Sequence, residues 1–206
     1  MSTTSVTPWG PIPFDDPPDG GDSARSRILD LAYARFCEDG ISATTMSQLA
    51  ADAGISRQWL YRYFENRDAV VTALLARESR RFVAELMLRD RPDAPFVDVV
   101  IDAFDYVVGA LRAHALLQRV LVTEPETVAP FLASGTGPLL QVATETAVAA
   151  IRQRTALTPA EARAVAETLL RLVLSVVVNN HTTIDFDDTR QRRAYAQRII
   201  PRLLAA

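Results

Sequence analysis

Residues 57–64, with the sequence RQWLYRYF, concentrate side chains that suit contact with a polar partner molecule. The two arginines carry planar groups with several hydrogen-bond donors, and the glutamine and tyrosines add an amide and hydroxyls. Arginine and glutamine can form paired hydrogen bonds with base edges in the major groove of a duplex. A tyrosine hydroxyl can donate to a phosphate oxygen. The chemistry that this segment offers is therefore recognition of double-stranded nucleic acid.

A helical register divides the same segment into two faces. Leu60 and Phe64 are four residues apart, so both should point to the core. The side chains predicted to point outward are Arg57, Gln58, Tyr61 and Arg62. A solvated face normally carries Glu, Lys or Ala, so these long donors favour contact with base edges and phosphates. Trp59 and Tyr63 flank this face, and Trp59 could either pack against its neighbours or touch a sugar or a thymine methyl group.

Local signals predict the elements that position this helix. Residues 45–48, Thr-Met-Ser-Gln, form a capping box, which predicts a helix starting at Met46. Gly54 should turn the chain, and Ser56 can cap the short helix that follows. The next helix is predicted to begin after Asn66.

Helix N-termini present free amides to phosphate, so the starts of the flanking helices, at Thr44, Thr45 and Arg67, could hold a DNA backbone. Capping alone is the alternative interpretation of these polar residues. The predicted DNA-contacting residues are Thr44, Thr45, Ser56, Arg57, Gln58, Trp59, Tyr61, Arg62, Tyr63 and Arg67.

Composition and charge are compatible with this interpretation. The 206 residues are 49% hydrophobic and 23% charged, which suits a globular protein with a substantial core. The net charge of −3 conceals an acidic start, because residues 1–22 hold four Asp and no basic residue, whereas residues 23–91 hold eleven Arg and nine acidic residues. The first 22 residues also hold five prolines, which predicts a disordered tail that is regulatory or solubilising rather than a DNA-reading arm.

Other sequence features limit the class of protein. A single cysteine, Cys37, excludes an internal disulfide and a multi-cysteine zinc site, and we expect it to be a small buried residue. The start lacks the pattern of a signal peptide, and the nearly uncharged stretch from Leu172 to Thr183 is too short to span a bilayer. We therefore expect a soluble, cytoplasmic protein with no membrane association, no metal and no cofactor.

Periodicity from Ser23 onward is helical, with no useful alternating pattern, so the predicted fold is all-α. We expect the following helices: residues 23–39, 46 to about 53, 57–64, 67 to about 89, 95–112, 114–123, 126–133, 139–155, 159 to about 180 and 187–204. The predicted organisation is a tail at 1–22, a helix-turn-helix domain at 23–70 with a connecting helix to about 89, and a helical domain at 90–206.

Residues 23–80 resemble the TetR family of bacterial transcriptional regulators. ILDLAYARFCEDG is similar to the first helix of that family, and TTMSQLAADAGISRQWLYRYFENRDAVV is similar to its helix-turn-helix and the start of helix 4. The most specific part is the ending Leu60-Tyr61-x-Tyr63-Phe64. The family usually has Lys where Arg67 stands and often a small residue where Trp59 stands.

The resemblance implies a homodimer that inserts its two short helices into successive major grooves of a palindromic operator. It also implies a C-terminal ligand-binding and dimerisation domain, in which a small-molecule inducer weakens operator binding. The aromatic residues that could line the ligand site are Phe96, Phe104, Tyr106 and Phe131, with mostly apolar neighbours. We therefore expect a repressor that is released by a largely apolar molecule.

The family pairs its last two helices with those of a second subunit. Residues 172–178, LVLSVVV, are apolar on nearly all sides, and such a helix must be covered all round, which favours a partner subunit in addition to the core. The predicted dimer-interface residues are Leu172, Val173, Val176, Val177, Tyr195 and Ile199.

Other interpretations remain open. An enzyme would have to use His114, His181, Glu124 or Glu126, and no recognisable metal or nucleophile motif connects them. A helical dimer that binds a ligand but not DNA is a second alternative. An acidic stripe, Asp98, Asp102 and Asp105, predicts a solvated helix face rather than a pocket for a cationic ligand.

Overall fold

The computed structural model describes residues 23–126, 138–179 and 182–205, and the regular elements within them are all α-helices. We number them α1 Ser23–Asp39, α2 Met46–Asp52, α3 Arg57–Tyr63, α4 Arg67–Met87, α5 Phe96–Ala113, α6 Ala115–Thr123, α7 Pro138–Arg154, α8 Pro159–Val178 and α9 Thr189–Leu204. The all-α prediction is confirmed. None of the helices in the described ranges combines the length and the apolar character that a membrane crossing requires.

Helix ends differ from the predicted ones by up to two residues. α4 ends at Met87 rather than Arg89, and α8 ends at Val178 rather than Asn180. α9 begins at Thr189 because Asp188 is its N-cap and accepts hydrogen bonds from the two amides that follow. The predicted tail at 1–22 and most of the predicted helix at 126–133 lie outside the described residues.

The described residues form two compact units that a single cut in the sequence cannot separate. The N-terminal unit contains α1–α4 and α6, and the C-terminal unit contains α5 and α7–α9. The sequence predicted one boundary near residue 90, with α6 on the other side of it. α6 instead packs on α1, because its Leu116 and Val120 join the hydrophobic core of the N-terminal unit.

The core of the N-terminal unit takes large side chains from each of its first four helices. Its almost fully buried members include Leu29, Phe36, Leu49, Leu60, Val70 and Leu74. A charged residue also lies inside: Arg77 of α4 donates to the carbonyl of Ser26, and its Nη1 lies 2.8 Å from Asp30 Oδ1. Because a buried guanidinium is tolerated only when it is paired, these contacts tie α4 to α1.

In the C-terminal unit, α7 and α8 pack side by side. Their contact is built from Val148 and Ile151 on α7 and from Ala162 and Ala166 on α8. The two alanines are four residues apart and fully buried, so the helices can approach closely along this stripe. Phe96, at the start of α5, packs against the same cluster.

The acidic stripe of α5 faces the chain's own arginines. Arg193 of α9 donates to Asp102 at 2.5 Å, and Arg192 donates to Asp105 at 2.7 Å. Arg91 also pairs with Asp102, whereas Asp98 stays exposed. The prediction of a solvated face is therefore wrong for Asp102 and Asp105, because their α9 partners are far away in sequence and no local pattern indicates them.

Candidate nucleic-acid interface

The capping box at the start of α2 is formed as the sequence predicts. The Thr45 hydroxyl oxygen accepts a hydrogen bond from the Gln48 amide at 3.3 Å, and Gln48 Oε1 accepts from the Thr45 amide at 2.8 Å. The Thr45 hydroxyl also donates to Gln48 Oε1. These reciprocal bonds satisfy the first free amides of α2 and fix where the helix begins.

The turn between α2 and α3 depends on a glycine. Gly54 has φ of +65°, the left-handed region that other residues avoid, and a side chain built at this position would meet no atom within 4 Å. The amide of Ile55 then bonds the carbonyl of Ala50, which closes the turn. Ser56 caps α3 by accepting from the Trp59 amide at 3.1 Å. Glycine is needed here for its backbone conformation alone.

α3 presents two opposite faces, as its spacing predicts. Leu60 is 0% exposed and Phe64 is also buried, so both belong to the core of the N-terminal unit. The exposed side chains, which we call the α3 outer face, are Arg57, Gln58, Tyr61 and Arg62. Tyr61 is 51% exposed although it is adjacent to Leu60. The helix thus uses its apolar residues as an anchor and leaves its donors free to reach outward.

Trp59 and Tyr63 support one side of this helix. Their ring centroids lie 5.0 Å apart with the planes tilted by 45°, and Arg62 Cζ lies 5.9 Å from the centre of the Trp59 ring. Trp59 is nevertheless 41% exposed, while Tyr63 packs partly against the core. Both roles considered for Trp59 are therefore compatible with its position, because one part of the ring packs and another part faces outward.

Thr44 does not fit the predicted interface. Its side chain is 1% exposed, its hydroxyl donates to the Gly40 carbonyl at 2.7 Å, and its amide bonds the Ile41 carbonyl. Both donors of Thr44 are thus used inside the protein. We correct the prediction by removing Thr44 from the interface, whereas the caps Thr45 and Ser56 are exposed.

Arg67 has a role that sequence reasoning missed. Its Nη1 donates to the Ser42 carbonyl at 2.7 Å and to the Thr44 carbonyl at 3.3 Å, so it braces the turn between α1 and α2. The side chain is partly exposed and also lies beside Asp68. The main role of Arg67 is therefore to stabilise this turn through hydrogen bonds inside the protein. Any contact with DNA would use only the exposed part of its side chain.

Glu124, which follows α6, is the second missed residue. The side chain is 6% exposed and accepts hydrogen bonds from the amides of Ile41 and Ser42 at 2.7 and 3.1 Å. Burial by itself raises the pKa of Glu124, but the hydrogen bonds from Ser42 and Ile41 and the charge of Arg67 outweigh it and leave the pKa below its usual value. The sequence suggested only a catalytic use for this residue, since its partners lie more than 80 positions away.

Comparison with known proteins agrees with this geometry. Residues 28–74 match the family model described as bacterial regulatory proteins, tetR family. The chain belongs to the TetR family. Over 66 residues it is 42% identical to an uncharacterised HTH-type transcriptional regulator of Mycobacterium tuberculosis, a stretch that covers 32% of this chain and 33% of that protein. Among the curated relatives that it matches, this TetR-family chain spans about a third to a half of their length.

Solved structures resemble the TetR-family chain over most of its length. The repressor AlkX from Dietzia, implicated in biodegradation of n-alkanes, is 25% identical with a TM-score of 0.59, covering 88% of this chain and 96% of AlkX. AibR, solved in complex with isovaleryl coenzyme A and operator DNA, is 15% identical with a TM-score of 0.60, covering 86% and 98%. The likeness to AibR concerns the fold alone.

The histidine considered for catalysis has a structural role in this TetR-family chain. His114 Nδ1 accepts a hydrogen bond from the Leu117 amide at 3.1 Å and thereby caps α6. Its ring meets Tyr33 edge-on, with centroids 5.7 Å apart. His181 lies outside the described residues, and within those that are described no three His, Cys, Asp or Glu side chains are grouped to hold a metal.

Cys37 is partly buried rather than fully enclosed. Burial raises the pKa of its thiol, while a hydrogen bond with Tyr33 acts in the opposite direction. The thiol therefore stays protonated near neutral pH and has little nucleophilic character.

Each described aromatic residue that was predicted to bind ligand in the C-terminal unit contacts a different side chain. Phe104 is buried and its ring lies 6.3 Å from that of Tyr195. Arg89 stacks over Tyr106 at 3.9 Å, and Arg154 lies 5.9 Å from the centre of Phe96. Phe131 lies outside the described residues. Phe104 is thus a core residue, and the other two described rings are partly covered by arginines.

Three predicted interface residues are covered by the chain itself. Val173, Val176 and Val177 are at most 8% exposed without any partner subunit. The prediction that these valines form a dimer surface is therefore corrected, because side chains already enclosed by their own chain cannot be offered to another. Leu172, Tyr195 and Ile199 are partly buried and retain surface for a partner.

Proposed function

We propose that this TetR-family protein is a ligand-responsive transcriptional repressor that binds a palindromic operator as a homodimer. The observation that supports it best is the α3 outer face, where Arg57, Gln58, Tyr61 and Arg62 are exposed on a helix anchored by buried Leu60. A two-turn helix that is anchored on one side and carries long donors on the other suits insertion into a major groove.

Dimerisation follows from the geometry of such operators. One α3 helix contacts only a few base pairs, so two copies about 34 Å apart are needed to read successive major grooves. The partly exposed apolar side chains Leu172 and Ile199 on α8 and α9 are the surfaces we propose for the partner subunit. We expect each subunit to present the same surface to the other.

The proposed ligand is a small, largely apolar molecule bound in the C-terminal unit. AibR was solved with isovaleryl coenzyme A, which carries an acyl chain, and AlkX is implicated in biodegradation of n-alkanes. Both associations support a ligand with an apolar portion for this chain. A ligand that favours a dimer with a different spacing would weaken operator binding, typically by about 1 to 3 kcal/mol.

The test begins with selection of duplexes from a random library on the purified full chain, followed by titration of the enriched sequence. We expect a palindromic site to be enriched. The double variant with Arg57→Ala and Arg62→Ala should bind that site about 100-fold more weakly than the wild type. The matched control is the double variant with Arg163→Ala and Arg171→Ala. It removes the same amount of charge from two exposed arginines of α8.

Two results would contradict the proposal. If no sequence is enriched, the protein is better described as a ligand-binding dimer that does not bind DNA. If the α8 control loses as much affinity as the α3 variant, net charge rather than the α3 outer face governs the binding.

A further inference from the structure

The turn between α1 and α2, residues 40–44, is held from two sides by side chains distant in sequence. Glu124 accepts from its amides, and Arg67 donates to its carbonyls. This turn leads directly into Thr45, the cap of α2, and α2 packs against α3. The turn is therefore connected through α2 to the helix that carries the α3 outer face.

Glu124 uses both of its carboxylate oxygens. Oε1 accepts from the Ile41 amide at 2.7 Å, and Oε2 accepts from the Ser42 amide at 3.1 Å and from the Ser42 hydroxyl at 2.5 Å. Hydrogen bonds from two adjacent amides and a hydroxyl to a single anion are stronger than neutral ones and set the orientation of the whole turn. The carboxylate itself is placed by α6, because the Glu124 amide donates a hydrogen bond to the Val120 carbonyl of that helix at 2.9 Å.

Gly40 makes room for this arrangement. Its φ of +92° lies in the region that favours glycine, and a Cβ atom built there would lie only 2.5 Å from Glu124 Oε1. Gly40 is thus needed both for the backbone conformation and for the approach of the carboxylate. The packing of the helices by itself does not require the Glu124 carboxylate to come so close to the backbone of residue 40.

Arg67 completes the bracing from the opposite direction. It stands in the first turn of α4, immediately after the segment that ends α3, and it bonds the carbonyls of Ser42 and Thr44. The chain on both sides of the α2–α3 pair is therefore connected to the same turn. A change in that turn would shift the entry of α2 relative to the helix that follows α3.

We propose that Glu124 is a positioning residue for operator binding, whose carboxylate holds the α1–α2 turn so that the α3 outer face is presented to DNA in one orientation. The inference rests on the proposed function and adds to it a residue that lies beyond the helix-turn-helix segment. Recognition groups need support from surrounding hydrogen bonds to within about 0.5 Å, and Glu124 supplies that support without touching DNA.

Glu124→Gln is the sharpest test, because it keeps the shape and replaces one acceptor oxygen with an NH₂ group that faces N–H donors. We expect operator affinity to fall about tenfold, by the same factor for every operator variant, because no base contact is removed. Amide hydrogen exchange should accelerate at Ile41 and Ser42 while α4 stays protected.

A matched control is available in the C-terminal unit. Glu161 accepts from the Thr158 amide at 2.8 Å and from its hydroxyl at 2.7 Å, so it resembles Glu124 in chemistry but not in location. Glu161→Gln should leave operator affinity and exchange at Ile41 unchanged. An equal loss of affinity in this control would overturn the inference.

The remaining outcomes separate this inference from the proposed function. A wild-type protein that selects no duplex refutes the function, and the positioning role is refuted with it. A wild-type protein that binds an operator, together with a Glu124→Gln variant that binds within twofold of it, refutes only the positioning role. Should the Glu124→Gln variant not fold, Ser42→Ala removes one of the three hydrogen bonds, and unchanged affinity in Ser42→Ala refutes the inference.

Discussion

Arg192 of α9, which is buried, and Asp105 of α5, which is partly buried, form an ion pair with Nε of the arginine 2.7 Å from Oδ1 of the aspartate. Arg192 also donates to the carbonyl of Phe186 and to the hydroxyl of Thr189. Gly109 leaves space for the guanidinium, since a Cβ there would lie 2.9 Å from Nη2. These contacts align α5 with α9 within the C-terminal unit.

Replacing Arg192 with methionine should therefore destabilise the protein strongly. The substitution keeps much of the side-chain volume but leaves the partly buried carboxylate of Asp105 with only a distant partner, Arg193 at 3.8 Å. We expect the free energy of unfolding to fall by about 3 to 5 kcal/mol in urea titrations. Arg190→Met, an exposed change in the same helix, should cost less than about 0.5 kcal/mol. Equal costs would show that the pair contributes nothing specific.

Gly40→Ala and Gly54→Ala should differ in their effect on stability. Both glycines have positive φ, so each substitution incurs backbone strain of about 1 to 2 kcal/mol. Only at Gly40 would the new methyl group also collide with Glu124, so the loss of unfolding free energy should be larger there. Thermal or urea unfolding of both variants measures this difference. A greater loss at Gly54 would contradict the close approach.

Stability should depend on the protonation of Glu124. Because the folded-state pKa lies below the usual value of 4.5, the stabilisation is complete above that value and is lost as the pH falls through the lowered pKa. Unfolding free energies of wild type and Glu124→Gln should differ most near neutral pH and converge on acidification. A difference that is independent of pH, or that grows in acid, would show that the charge of Glu124 is not what stabilises the turn.

Two residues of the α3 outer face should affect DNA binding in different ways. Arg62→Ala should weaken binding and broaden the choice of operator, since a base contact of this kind is worth about 1 to 3 kcal/mol at one position. Tyr61→Phe removes only a hydroxyl suited to phosphate, so it should weaken binding about equally on all sequences. Titration of both variants against single-base operator variants measures this. If both change every affinity by the same factor, the assignment of base and phosphate contacts is wrong.

The local features of this chain were determined by its sequence. The caps Thr45, Ser56 and Asn66 act on amides three residues away, and the turn glycine acts through its own φ angle. The burial of Leu60 beside exposed Tyr61 follows from helical periodicity. Such interactions span one or two turns of helix, so a short stretch of residues contains all the information that specifies them.

Long-range pairings and the coverage of apolar side chains were decided only by the tertiary structure. Glu124 reaches Ile41 across 83 positions, Arg192 reaches Asp105 across 87, and the burial of Val176 by its own chain cannot be read from an apolar run. The sequence around a carboxylate or an arginine is the same whether its side chain contacts solvent, DNA or a distant side chain. Its partner is chosen when the helices pack, because packing brings together groups that no short-range rule connects.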